Sequence, residues 1–458
     1  MASSAKSTSK RQKPSDPEEA TVVDRISNLP DSLLSHILSF LTIKESVTTS
    51  ILSSRWKPLW TLVPNLDLDE NEFSRKPLSS DEEQSPNRYR FRFAHIVARV
   101  CALHNVNPLE KFRLHWYSDC DPIHVDTWVR AAIARDLEEL DLYLCPDQLF
   151  NFSYYVKSLV VLKLSGNIVI NPPSSSSLGF SRLKNLHLTS VQYANHDSFS
   201  TLLNGCPVLQ DLSIIYCDGK NYNFKISVPT LKRLDLFIYC YSYKLVINAP
   251  ALEYLTFRSF LEEDVLLENL SNLVEAVLNV ESVIENDDNF EDYENRVWDF
   301  ISALYSVKSL HLLAETTKCL SEDSKFDLPM FDNLALLNFG FESSMWHVLP
   351  LFLERAPNLE VLILDKSLDL DYPFDEFERI FYEDVPKCVS SHITAFHFKG
   401  FQGSNAELDL VGQILKWARV LKQMTISSEY LDSEEEVRVL KELLMFPRQS
   451  ATCKIEFN

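Results

Sequence analysis

Residues 231–257 read LKRLDLFIYCYSYKLVINAPALEYLTF, and this stretch decides the fold. It holds one pattern twice, L-x-x-L-x-L, first as Leu231-Leu234-Leu236 and then, 21 residues later, as Leu252-Leu255-Phe257. Successive side chains of a strand point to opposite faces. Each copy therefore predicts a short strand that sends its last two apolar residues inward and turns Arg233, Asp235 and Phe237, or Tyr254 and Arg258, outward. One such unit cannot cover its apolar face alone, so stacked neighbours are a physical requirement. Pro250 stands two residues before Leu252, where a strand has not yet begun.

Working outward, the pattern starts at Leu109, Leu137, Leu159, Leu183, Leu209, Leu231 and Leu252, with Phe112 in the middle place of the first copy. Weaker copies start at Leu273, Val307, Leu334, Leu359, Ile393 and Leu421. From Leu137 to Leu273 the starts lie 22, 24, 26, 22, 21 and 21 residues apart, inside the 20 to 29 range of leucine-rich repeats. The expected fold is α/β, a solenoid built on a parallel strand ladder with helices and loops outside. Pro207, Pro229 and Pro357 keep the same place as Pro250. Cys145, Asn167 and Cys217 fall eight residues after the first leucine of their repeats, where the repeat takes Asn or Cys; they read as structural. The rhythm loosens at NDDNFEDYENRVWDFISALY (286–305), an acidic loop entering a helix whose apolar face is Val297, Phe300, Ile301 and Leu304. Asp287, Asp288, Glu291 and Asp292 lack the glycine-bearing twelve-residue frame of a calcium loop.

The outward positions of consecutive strands make a stripe of Tyr143, Lys163, His187, Asp211, Arg233, Asp235, Phe237, Tyr254 and Arg258. Aromatics mixed with both signs of charge suit a protein interface, so this stripe is the candidate target-binding site. His187, His311 and His397 occupy equivalent outward positions, but several strands of about 4.8 Å spacing separate them, and they cannot share one ion. No metal site and no cofactor are expected.

Composition narrows the function. Lys+Arg number 44 against Asp+Glu 65, a formal charge of -21, so the overall field repels nucleic-acid phosphates and anionic lipid. No apolar run of bilayer length and no signal-peptide core occurs, and the nine scattered cysteines lack C-x-x-C spacing. These point to a reduced chain of the cytoplasm or nucleus, without nucleic-acid or membrane partners. Motifs for nucleophilic, zinc or phosphate chemistry are missing, and eight glycines leave few tight turns to cradle phosphate, so an enzyme is not expected.

The first 21 residues, rich in Ser, Lys, Pro and Glu, read as a disordered tail, with Lys10-Arg11-Gln12-Lys13 a weak nuclear-import patch. Order begins with VVDRISNLPDSLLSHILSFLTIKESVTTSILSSRWKPLW (22–60). Pro30 suits a first helical position, and Leu33, Leu34, Ile37, Leu38 and Leu41 recur at helical spacing. Thr42 and Glu45 form a capping-box pattern that starts a second helix, expected to carry Val47 and Ile51 inward. Three short helices in about 40 residues make a small core, so exposed apolar surface and a partner are expected.

This stretch resembles the F-box family: Leu29-Pro30, the Leu33-Leu34, Ile37-Leu38 and Phe40-Leu41 pairs, Ser50, Leu52, Ser53, Arg55-Trp56 and Leu59-Trp60 stand in the family's order. The resemblance implies docking to a Skp-family adaptor, which joins such proteins to a cullin scaffold and a ubiquitin-charged conjugating enzyme. The adaptor-binding residues would then be Leu29, Pro30, Leu33, Leu34, Ile37, Leu38, Val47, Leu52, Trp56, Leu59 and Trp60. From about Val385 the chain reads strand, polar loop, helix, strand, helix, strand. It resembles there the FBD region of plant F-box leucine-rich-repeat proteins, through Val385-Pro386-x-Cys388-Val389, Phe396, Phe398, the helix from Glu407 to Arg419, Leu421-x-x-Met424-Thr425-Ile426 and Phe446-Pro447-Arg448. The expected layout is a tail at 1–21, a three-helix F-box at 22–68, leucine-rich repeats at 69–380 and an α+β FBD-like cap at 381–458. The function this implies is substrate recognition for a ubiquitin ligase of the Skp adaptor–cullin–F-box type, with an unknown protein target. Two alternatives stand beside it: a small-molecule or hormone sensor on the same chassis, and a repeat scaffold without a ligase role.

Overall fold

A computed structural model of the chain describes residues 25–26, 28–73, 86–118, 121–145, 149–173, 179–216, 222–239, 243–261, 265–281, 290–321, 327–342, 348–367, 385–428 and 431–458, with backbone alone at 86–92, 222 and 290. The tail, Cys217, Asp287 and Asp288 lie outside these residues. The chain divides into two compact units between Val63 and Pro64. No helix among the described residues is long and apolar enough to cross a membrane.

The first unit forms helices at Asp31–Leu38 and Ile43–Thr48, with 3-10 turns at Thr49–Ile51 and Leu59–Leu62. The capping box closes as read: the Glu45 backbone N–H donates to Thr42 Oγ1 at 3.3 Å, and the Thr42 N–H to Glu45 Oε2 at 3.1 Å. Leu34, Leu38, Trp56, Leu59 and Val63 make the core, with Leu29 against it. Two expectations change here. The third helix is only the turn Leu59–Leu62, and Ile43 rather than Val47 or Ile51 points inward. Ser46, fully buried, explains the rotation: its hydroxyl donates to the Leu38 carbonyl at 3.0 Å, tying the second helix to the end of the first through the face that Ile43 shares.

In the second unit all thirteen motifs form strands of one fifteen-stranded sheet, joined by Asn65–Asp69 at one end and Lys454–Phe457 at the other. The first of these lies in the stretch assigned above to the F-box. Every pairing in the sheet is parallel, and its strands follow chain order. Register is strict: Leu66, Phe112, Leu140, Leu162, Leu186, Leu212, Leu234 and Leu255 align across successive strands, and so do Leu68, Leu114, Leu142, Leu164, Leu188, Ile214, Leu236 and Phe257. All sixteen are buried. The motif's leading residue is buried in all thirteen copies, because it ends a turn before each strand. In nine copies its N–H donates to a carbonyl three residues back, as from Leu209 to Cys206, Leu231 to Val228, Leu252 to Ala249 and Leu359 to Ala356. Pro207, Pro229, Pro250 and Pro357 each take the second place of that turn, where a fixed φ is an advantage and no N–H is needed.

The other side of the ladder carries more than the expected helices and loops. Phe150–Phe152, Ile168–Ile170 and Gln192–Tyr193 form one three-stranded parallel sheet, and Tyr222–Ser227, Tyr243–Asn248 and Val265–Glu268 another. These segments are short and rich in β-branched and aromatic residues, as in Ile168-Val169-Ile170 and Phe150-Asn151-Phe152, which suits strands. Gly166 ends its strand at φ +88°, where a Cβ would lie 2.1 Å from the Leu144 carbonyl oxygen. Helix Phe290–Ser302 buries Val297, Phe300 and Ile301 as expected, with Leu304 just beyond.

From Val385 on, the chain continues the same ladder: Ala395–Lys399, Gln423–Ile426 and Lys454–Phe457 are its last three strands. Helix Asn405–Trp417 starts at a Ser404 cap whose partner, Glu407, is fully buried. The Glu407 carboxylate accepts from the backbone N–H groups of Ser404 (2.9 Å) and Gln402 (3.1 Å), and pairs with the Lys366 ammonium at 2.6 Å. Burial lowers the Lys366 pKa, and Glu407 opposes that shift. Breaking a buried pair from one side leaves a charge stranded, so Glu407→Ala should cost about 3–5 kcal/mol. Glu435→Ala, which opens the exposed box at Asp432, should cost no more than about 1 kcal/mol. Urea unfolding of both variants checks the difference, and equal losses would remove Glu407 from this role.

The thiols are structural by the same reasoning. Burial pushes Cys206 and Cys319 up to about 12 and Cys388 to about 11, so at pH 8 roughly one Cys206 in ten thousand is thiolate. Iodoacetamide at pH 8 should leave these three unmodified in the folded chain and alkylate them after denaturation. Mass spectrometry of the peptides reads the outcome.

Candidate functional site

Burial divides the eleven adaptor-site residues into two groups with different work. Leu34, Leu38, Trp56, Leu59 and Trp60 are buried, and all but Trp60 stand in the unit's core, so they offer a partner little surface. Leu29 is half-buried against that core. Pro30, Leu33, Ile37, Val47 and Leu52 are exposed. Two residues absent from the expected site reach furthest into solvent, Phe40 at 77% and Ile51 at 83% exposure. The helical period sets two faces, and packing decides which of them is buried. Leu34 and Leu38 are one turn apart on one side, while Leu33, Ile37 and Phe40 run along the other. Arg55 fixes the start of the first helix, pairing with Asp31 at 2.7 Å and donating to the Leu29 carbonyl.

On the ladder, the outward stripe lies in three register rows. Asp211, Arg233 and Tyr254 are consecutive in the first, followed by Glu275. Lys163 and His187 are consecutive in the second, followed by Ser213 and Asp235. Phe237 and Arg258 are neighbours in the third. Six stripe residues thus share three adjacent strands, with Lys163 and His187 on the two before them. Tyr143 is set apart, since Ser165, Thr189 and Ile215 separate it from Phe237 in its row. The Arg233 guanidinium lies 4.5 Å from the Tyr254 ring centre, and its Nε is 3.3 Å from Asp211 Oδ1. Asn185 donates to the other Asp211 oxygen at 2.8 Å. Burial and the neighbouring Lys163 hold the His187 pKa below its ordinary value, and burial does the same at His311 and His397. These three histidines do share one row, but four strands stand between the first two and two between the last pair.

Tyr143 belongs instead to a polar cluster at the start of the ladder that the sequence stripe omitted. Arg113 bonds Asp67 at 2.7 Å and Asp69 at 3.2 Å, while His115 Nε2 lies 3.1 Å from Asp141. The rings of His115, Tyr117 and Tyr143 gather there, with Tyr117 and Tyr143 5.0 Å apart. Burial alone would lift the Asp141 pKa, but the His115 hydrogen bond and the charges of Lys163 and Arg113 overcome it and hold it low. Arg113 is likewise penalised by burial and held charged by Asp67, Asp69 and Asp141. The available signal was Asp67 in NLDLD, where Val63, Leu66 and Leu68 make one more copy of the motif.

Comparison with known proteins joins these parts. Family models match at residues 26–68 (F-box domain), 125–270 (FBD-associated F-box protein At5g56370, LRR repeats) and 383–426 (FBD). The putative FBD-associated F-box protein At3g50710 of Arabidopsis thaliana is 32% identical over 94% of this chain and 99% of its own length. The F-box/FBD/LRR-repeat protein At4g00160 of the same plant is 33% identical over 95% of this chain and 94% of its own. The putative F-box/FBD/LRR-repeat protein At5g44950 is 31% identical over 94% and 99%. F-box proteins are typically non-catalytic substrate adaptors, and an F-box domain implies a Skp-type adaptor as partner. With an F-box, an in-register leucine-rich ladder and an FBD region in the order of these relatives, the chain belongs to the plant F-box/FBD/leucine-rich-repeat family.

Proposed function

We propose that the chain is the substrate-recognition subunit of a ubiquitin ligase of the Skp adaptor–cullin–F-box type, acting in the cytosol or nucleus. The F-box docks the adaptor, the cullin scaffold brings the conjugating enzyme, and the open face of the ladder holds a protein target for ubiquitination. The observation that carries this reading is the apolar surface of the F-box. Leu33, Ile37, Phe40, Val47, Ile51 and Leu52 stay exposed on a unit whose core is already closed by other residues. Contiguous apolar surface of this kind marks a protein interface. A protein target is favoured over a hormone because the outward stripe mixes aromatic rings with both signs of charge, as protein interfaces do.

Leu33→Glu with Ile37→Glu should abolish capture of a Skp-type adaptor while the circular dichroism of the chain stays unchanged. Leu38→Ala acts through the core, at a cost of about 2–5 kcal/mol. Undiminished capture by the double variant at matched expression would remove this docking surface. For the target face, Lys163→Glu with Phe237→Ala should slow ubiquitin-dependent turnover of the bound target in cells at least several-fold, with the unfolding midpoint unchanged. Turnover at the unmodified rate would place recognition elsewhere.

A further inference from the structure

We infer that the dent on the open face, between strands Arg233–Ile238, Tyr254–Phe260 and Glu275–Glu281, is a subsite for a cationic side chain of the protein target, with arginine the best fit. The inference rests on the target-binding reading of this face. The dent encloses about 230 Å³ and is lined by Arg233, Asp235, Tyr254, Thr256, Glu275 and Val277, with Leu255 of the middle strand behind them. Asp235 and Glu275 stand on the two outer strands and Tyr254 with Thr256 on the middle one. The carboxylates therefore flank a gap whose outer backbones are about 10 Å apart, wide enough for one planar cation between them.

Neither carboxylate has a Lys or Arg partner among the described residues. Asp235 accepts a long bond, 3.4 Å, from the Ser213 hydroxyl. Glu275 has His311 at 3.8 Å, and burial disfavours the charged form of that ring. Arg233, the cation in the lining, is already engaged by Asp211 and by the face of Tyr254.

A second observation points the same way. Asn279, the next open-face position after Val277 on its strand, has a side-chain oxygen shut off from solvent with no donor. The Asn338 side-chain oxygen, two strands further along, is in the same state, its amide being turned to the His311 ring. These are two buried acceptors left unpaired on this part of the face, and such acceptors are costly. A guanidinium brings five donors in a planar fork and an apolar stem, which matches two flanking carboxylates and the Val277 side chain. Arg258, exposed further along the middle strand, disfavours a second basic residue on that side.

The test uses the full chain and peptide arrays whose central residue is Arg, Lys, Gln or Glu within randomised flanks. Arg-centred peptides should bind at least tenfold more strongly than Gln-centred ones, and the preference should vanish in Asp235→Asn/Glu275→Gln, whose surface changes leave the unfolding midpoint in place. Binding that ignores the central residue but is lost in Lys163→Glu/Phe237→Ala would overturn the cationic subsite and leave the target face standing. An arginine preference that survives both variants would overturn the subsite and the face together. No binding by any array would also overturn the subsite.

Discussion

The whole ladder depends on one constraint: two in-register columns of apolar side chains, each inaccessible to water only because the next repeat stacks on it. Leu234 and Leu236 are covered by Leu212 and Ile214 on one side and by Leu255 and Phe257 on the other. At about 4.8 Å between strands, every inward side chain touches its counterparts above and below, so stability is shared between neighbours and not held within a unit. A slip of one residue in any strand would turn its leucines to solvent, which explains why the spacing between motifs varies from 21 to 34 residues while the register inside them does not.

Polar groups inside such a stack need partners brought from other repeats, and they act as staples. Thr316 accepts from the Val280 N–H at 2.8 Å and donates to the Leu278 carbonyl at 3.0 Å, tying the helix Ala314–Lys318 across the end of an earlier strand. Glu294 takes the Ser321 N–H at 2.7 Å and the Trp298 indole at 3.1 Å. Glu407 and Lys366 do the same work between the last repeats and the FBD stretch, so that stretch is continuous with the ladder in hydrogen bonding as well as in strand order.

The F-box unit follows a different logic. With five residues in its core, it lacks the stacked neighbours that cover apolar surface in the ladder, and its second apolar face stays open. The exposed large side chains Leu33, Ile37, Phe40, Val47, Ile51 and Leu52 of that unit are apolar, whereas the open face of the ladder mixes rings and both charges. The scaffold alternative does not draw on the F-box face.

Periodicity was enough to determine the ladder and the helix through Val297 and Ile301, and local pattern the capping box at Thr42. Each is set by residues close in sequence, so each leaves a local pattern. The sequence also named the outward stripe, because alternation within a strand settles which side chains face out. Tertiary structure decided what alternation cannot reach. It turned Leu33 and Ile37 outward and Leu34 and Leu38 inward, since both pairs are leucine-like at helical spacing and only packing against Trp56 and Leu59 tells them apart. It moved Tyr143 away from Phe237 and into the company of His115 and Tyr117, and among the described residues it gave Asp211 an arginine but Asp235 and Glu275 no Lys or Arg partner. These are contacts between strands 20 to 30 residues apart in the chain, and their partners follow from register across the sheet, a quantity that no single strand's sequence contains.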